Sequence, residues 1–206
     1  MMEPIKPKSL KAEDEKERRR ALLRGPNVIA LAEYVESLRR ESPNDYFPDF
    51  DPLDGGVNAE ILFLFEKPGP MTSAKNGGSG FISRDNDDPT AEATFGFMRE
   101  AGIARNKTVI WNVVPGWDGD RAIKGESLGR GIESLKKLIP HLPRLRLIVL
   151  VGRKAQRART RLSAWEPKLN FAESAHPSPI VRATRPEGWT NISADWAKAA
   201  KKLEPR

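Results

Sequence analysis

The chain has 206 residues, a formal charge of +7, no cysteine and two histidines, His141 and His176. Without thiols it has no disulfides, cysteine nucleophiles, thiolate zinc sites or iron–sulfur clusters, and two histidines are too few for a histidine-based metal site. A basic balance favours a polyanionic partner, and the length suggests one domain with an N-terminal extension.

The start, "MMEPIKPKSLKAEDEKERRR", is charged and lacks the apolar core of a signal peptide. No apolar run approaches membrane-spanning length, so a soluble intracellular protein with no membrane partner is expected. Residues 1–24 read as a helix with Ser9 as its cap, or equally as a flexible arm. Residues 25–206 read as a single domain. "GPNVIALAEYVESLRRE" carries Ile29, Ala32, Val35 and Leu38 at helical spacing, with Pro26 near its start. "SPNDYFPDFDPLDGG" reads as a loop.

From there strands and helices alternate. "AEILFLF" is a strand, and "DPTAEATFGFMREAGI" a helix ending near Gly102. "TVIWNVV" is the second strand, followed by "SLGRGIESLKKLIPHL", a helix interrupted by glycines. "LRLIVLVG" is the third strand, "RKAQRARTRLSAW" a basic helix and "LNFAESA" a short fourth strand. "TNISADWAKAAKKL" is a terminal helix with a cap at Thr190 or Asn191. This alternation implies βαβ units and a mostly parallel sheet covered on both faces. Sites in such sheets form in the loops after the strands' carboxyl ends. Here those loops are "EKPGPMTSAKNGGSGF", "PGWDGD", "GRKA" and "HPSPIVRATRP".

Three stretches bear chemistry. Glu66 stands where the apolar run Ile61–Phe65 breaks into Pro68-Gly69-Pro70; it is a strand-end charge or a placed carboxylate. Asn112 is the one polar side chain in an apolar strand, so it satisfies nearby backbone or reads a ligand. A primary amide complements the O4 and N3–H edge of uracil. His176 precedes a stiff Pro-Ser-Pro turn. Ser178, Arg182 and Arg185 follow as candidate phosphate contacts. Ile180 is apolar at an exposed tip, a residue packed on the core or a wedge for a base stack.

Taken together, E-x-P-G after the first strand, an asparagine inside the second and H-P-S-P after the last resemble the uracil-DNA glycosylases. The resemblance covers most of residues 58–203. It implies a three-layer α/β/α domain with a four-stranded, mostly parallel sheet in the order 2-1-3-4. By that likeness, His176 matches the histidine that bonds uracil O2, Asn112 the uracil-reading asparagine, and Phe81 of "GSGF" the aromatic that stacks on the flipped base. Pro68, Gly69 and Ser178 match loops that pinch the DNA backbone. Glu66 matches the carboxylate of the G-E-x-P-G form, which helps position water; Asp85, Asp87 and Asp88 are other candidates for that role.

The chain also departs from the pattern. Phe65 replaces the glycine before the acidic residue. The cysteines of the iron–sulfur branch are absent, and so is the basic insertion of the covalently trapping branch. Gly69 stands where the well-studied bacterial and viral type has a tyrosine that excludes the thymine methyl. Phe65 or Met71 could replace that wall. The implied activity is hydrolysis of deoxyuridine in DNA to an abasic site by a monomer without cofactor or metal. Two other classes fit the elements: a non-catalytic uracil-DNA-binding module, and a doubly wound protein acting on small molecules. The second lacks any phosphate-binding glycine motif after a strand.

Overall fold

The computed structural model describes residues 6–69, 72–74, 77–120 and 122–203. In chain order come α1 (Glu13–Leu22), α2 (Ile29–Glu41), β1 (Asp49–Phe50), β2 (Ile61–Phe65), β3 (Phe81–Ile82), α3 (Pro89–Glu100), β4 (Thr108–Asn112) and α4 (Gly125–Leu138). They are followed by β5 (Leu147–Val151), α5 (Arg153–Gln156), α6 (Arg159–Trp165), β6 (Asn170–Ser174), α7 (Pro179–Thr184), α8 (Pro186–Thr190) and α9 (Ile192–Lys201).

The main sheet has four strands in the order β4-β2-β5-β6, all parallel. Numbered among themselves, these strands run 2-1-3-4; the two short strands β1 and β3 form a separate parallel pair. Every residue of β2, β4 and β5 is buried, as near-continuous apolar strands covered on both faces should be.

Side-chain alternation assigns the layers. Phe63 on one face of β2 meets Trp196 of α9 edge-on at 4.8 Å, and Phe97 of α3 packs on the same tryptophan. On the opposite face, Trp111 of β4 stacks on Phe50 at 3.9 Å and meets Tyr34 of α2 at 6.2 Å. The Tyr34 hydroxyl donates to the Ser134 carbonyl of α4 at 3.1 Å, joining those two helices.

Several local expectations are corrected. The glycines do not interrupt α4. Gly131 lets it lie on the sheet, because a Cβ there would come 1.9 Å from the Val113 carbonyl oxygen. The basic stretch after β5 breaks into α5 and α6. The stretch expected as a loop before β2 contains β1, which pairs with Phe81–Ile82. The segment after His176 is helical, because Ser178 caps α7 and Pro179 supplies its first residue. Neither Thr190 nor Asn191 caps α9 with a side chain; Thr190 bonds back to the Glu187 carbonyl of α8 instead. Ile29 is exposed, since the buried face of α2 runs through Leu31, Tyr34, Val35 and Leu38. Ser9 does not cap a helix; its hydroxyl accepts from Arg19 Nη2 at 2.9 Å.

Candidate functional site

The carboxyl ends of the long strands open onto a cleft of about 720 Å3. Glu66 is the first residue past β2, and its backbone continues the ladder: Val114 N–H donates to the Glu66 carbonyl at 3.0 Å. The Glu66 carboxylate turns toward the end of β5. Its Oε1 accepts the Lys154 backbone N–H at 3.1 Å, and Lys154 Nζ lies 3.9 Å from Oε2. His176 arrives from the end of β6, with its ring edge-on to Phe65 at 5.5 Å.

Gly152, at the end of β5, lies between these two side chains. A Cβ on it would come 2.7 Å from Glu66 Oε1 and 3.1 Å from His176 Cβ and Cδ2. Its backbone, at φ 92° and ψ 154°, is in a region that only glycine adopts readily. The glycine therefore allows carboxylate and imidazole to share one corner of the cleft. Burial lowers the His176 pKa below its ordinary 6.5 and nearby Lys154 lowers it further, while Glu66 opposes them. The imidazole is neutral at pH 7, so it can offer one N–H as a donor.

Asn112 closes β4 and also lines the cleft. The residue is 3% exposed, and among the described residues its Oδ1 has no hydrogen-bond partner. Buried polar atoms are nearly always paired, so this acceptor stands out at the cleft wall. Phe81 is placed differently from the expectation. It is 1% exposed and absent from the cleft lining, which takes its neighbour Ile82 instead. Successive strand residues face opposite sides, and pairing with β1 turns Phe81 away.

Of the other candidate carboxylates, Asp85 is buried in ion pairs with Arg19 and Arg105, each at 2.7 Å. Asp87 lies near Lys8 and Lys11. Asp88 does line the cleft, but its Oδ1 already caps α3, accepting from Thr90 and Ala91 N–H at 2.9 Å.

Pro68 and Gly69 border the cleft on one side. Among the described residues, a Cβ on Gly69 would meet nothing within 4 Å, and Phe65 also lines the cleft. Met71 lies outside the described residues. Ser178, Ile180 and Arg185 border it on another side. The Ser178 N–H is already spent on the His176 carbonyl at 2.8 Å, and its Oγ accepts from Val181 N–H at 3.4 Å. Only its hydroxyl proton remains for a phosphate. Ile180, in the first turn of α7, is 71% exposed. Arg182 is outside the cleft, its guanidinium 5.7 Å from the Trp189 ring.

Sequence reasoning passed over Gly152 and Lys154. Both lie in "GRKA", whose position after a strand was the available signal. It also passed over Trp117, which lines the cleft with Lys67 Nζ 5.7 Å from its ring centroid. Among the described residues, no group of three or more histidine or acidic side chains is placed to hold a metal ion.

A family model described as the uracil DNA glycosylase superfamily matches residues 53–202. No curated relative matches the sequence. Among solved structures, wild-type SMUG2 of Pedobacter heparinus shares the fold with a TM-score of 0.51 at 13% identity, over 87% of this chain and 86% of that one. A putative uracil DNA glycosylase from Methanosarcina acetivorans, solved in solution, scores 0.47 at 17% identity over 70% and 92% of the two chains. UNG from Nitratifractor salsuginis scores 0.44 at 13% identity over 88% and 96%.

Proposed function

Because the chain belongs to the uracil-DNA glycosylase superfamily, we propose that it is a monofunctional glycosylase that removes uracil from DNA and leaves an abasic site. The carrying observation is the meeting of His176, Glu66 and the unpartnered Asn112 Oδ1 in one cleft at the carboxyl edge of the sheet.

A base inside the stack cannot reach such a cleft, so it must be flipped, and a mispaired uracil costs less to unpair. Ile180, exposed beside the cleft, is suited to fill the gap left in the stack. Arg185 at the rim, and Arg182 just beyond it, are the cations for the flanking phosphates. Asn112 Oδ1 accepts the uracil N3–H, and Nδ2 donates to O4.

The C1′–N1 bond then breaks and its electron pair leaves with uracil. The His176 N–H meets the negative charge developing on O2. One preorganised donor of this kind is worth about 3–4 kcal/mol of barrier. Glu66 faces the positive charge on the sugar and orients a water. The water oxygen bonds to C1′, and its released proton passes through Glu66 to solvent. No step needs a metal or cofactor.

The activity belongs with DNA inside the cell. No helix among the described residues is long and apolar enough to cross a membrane. A monomer suffices, since each proposed role is filled from one chain.

The test is incubation with a uracil-containing oligonucleotide in EDTA, followed by alkali. Strand breakage at uracil is expected with wild type and weakened with Asn112→Asp, whose carboxylate lacks the donor for O4. A gel shift without breakage would instead identify a uracil-binding module. Turnover of free deoxyuridine or its nucleotides in preference to the oligonucleotide would identify a small-molecule enzyme.

A further inference from the structure

One wall of the cleft belongs to the segment running from β3 to the start of α3, through Ile82, Ser83, Arg84, Asn86 and Asp88. The back of this segment rests on buried charge. Asp51 and Asp85, both fully buried, face two arginines. Arg105 contacts each at 2.7 Å, and Arg19 of α1 contacts Asp85 at 2.7 Å and Asp51 still more closely. The Ser83 hydroxyl donates to Asp51, and the Asp85 N–H donates to Ser83 Oγ at 2.9 Å. Arg105 Nε also lies 2.9 Å from buried Asp54, which Arg84 meets at 3.5 Å, so the buried cluster holds three arginines and three carboxylates and balances only when Arg19 is present.

The residues before Arg19 continue the contact. Leu10 N–H donates to the Asp85 carbonyl at 3.1 Å, and the Leu10 side chain is buried. Lys8 reaches Glu92 at 3.0 Å and Asp87 at 3.8 Å, and Lys11 reaches Asp87 at 3.7 Å. Lys8, Leu10, Lys11 and Arg19 therefore grip residues 83–92 at Asp85, Asp87 and Glu92. This strap lies outside residues 53–202, the part that matches the family model.

We propose that residues 8–19 are a working part of the base pocket, with Arg19 the positioning residue that holds the wall formed by residues 82–88 in register with Asn112 and His176. Removing the Arg19 guanidinium leaves one buried carboxylate without a counter-charge, and the segment must move to hydrate it. The wall then shifts relative to the reading amide, and misplacement by about 1 Å can cost about a hundredfold in rate. The rim that would hold the DNA backbone is carried by α7 and by Pro68 and Gly69, and among the described residues no hydrogen bond or ion pair joins the strap to them. The catalytic arm of this inference rests on the proposed glycosylase reading; its structural arm does not.

The experiment uses the full chain with Arg19→Met and Arg19→Lys. It reads single-turnover uracil excision well below the melting temperature, affinity for an oligonucleotide with an uncleavable abasic analogue, and amide exchange of peptides over residues 81–92 and over β2, β4 and β5. Arg19→Met should excise uracil at least about tenfold more slowly, with DNA affinity within about twofold because its rim contacts are intact. Exchange should rise over residues 81–92 while the sheet stays protected. Arg19→Lys, which keeps the charge, should recover part of the rate.

A purely structural role would lower the melting temperature and leave the rate of the folded enzyme and the exchange of residues 81–92 unchanged; that result overturns the proposal. If Arg19→Met does not fold, the double variant Lys8→Ala, Lys11→Ala keeps the buried charges and is read the same way. Unchanged rate and exchange there overturn it too. If wild type leaves the uracil oligonucleotide intact, the glycosylase reading fails, while the exchange measurement still decides whether the strap holds the wall.

Discussion

Gly152→Ala tests the proposed catalytic corner most directly. The added Cβ would come 2.7 Å from Glu66 Oε1, whereas ordinary contact begins at 3.4 Å, so the carboxylate must retreat by about 0.7 Å. Glu66 is flexible enough to do so, but it gives up the Lys154 backbone bond that aims it. The same Cβ sits 3.1 Å from His176 Cβ and Cδ2, and that ring is also held edge-on by Phe65. Alanine must further adopt φ 92° and ψ 154°, which costs about 1–3 kcal/mol of stability. Displacing both groups by a large fraction of an ångström should lower single-turnover excision by about a hundredfold. The assay is rapid-quench excision from a uracil-containing oligonucleotide with enzyme in excess, beside a denaturant melt to confirm folding. A folded Gly152→Ala enzyme within about twofold of wild type would refute the idea that the two groups must share this corner.

Further outcomes follow from the same geometry. His176→Ala should slow excision by about a hundredfold or more, as loss of one oxyanion donor does, with DNA affinity nearly unchanged; a near wild-type rate would remove His176 from the mechanism. The native state should also lose stability as pH falls below 6.5, because the unfolded chain protonates His176 first while the folded imidazole, with its lowered pKa, resists. The check is a comparison of denaturant melts at pH 7.5 and 5.5, where His176→Gln should show a smaller difference than wild type. Glu66→Gln should slow chemistry more than Asp88→Asn, since Asp88 is engaged as a helix cap; the reverse order under single turnover would move the catalytic role to Asp88. Finally, Gly69, beside which the described residues leave space for a side chain, should admit 5-substituted uracils, because one methylene-sized difference is worth only about 1–3 kcal/mol of rejection. Gly69→Tyr should spare uracil and suppress 5-hydroxymethyluracil and mispaired thymine; equal rejection by wild type and variant would contradict this.

The parallel sheet, and the edge where the candidate site lies, were readable from the chain alone. Apolar runs at Ile61–Phe65 and Leu147–Val151 have to be buried on both faces, and helices spaced between them leave a parallel arrangement as the way to do it. Glu66 and Asn112 were legible as candidates because each is a polar residue at or just past the end of an apolar strand, and His176 because a stiff Pro-Ser-Pro turn follows it after the last, more polar strand. Only the tertiary structure decided how they are used. The gap between Glu66 and His176 depends on Gly152, far from both in sequence, and a missing side chain has no pattern to read. Phe81 looked like a stacking platform, but the two-residue pairing of β3 with β1, in which Phe81 lies opposite Asp49, turns it into the interior. The charged composition of residues 1–24 fitted a helix and a flexible arm equally well. Arg19 is fully buried, since Asp51 and Asp85 lie where only the folded chain can bring them together. Strand-end chemistry is local and readable, whereas charge balance and close approach belong to residues that meet only across the fold.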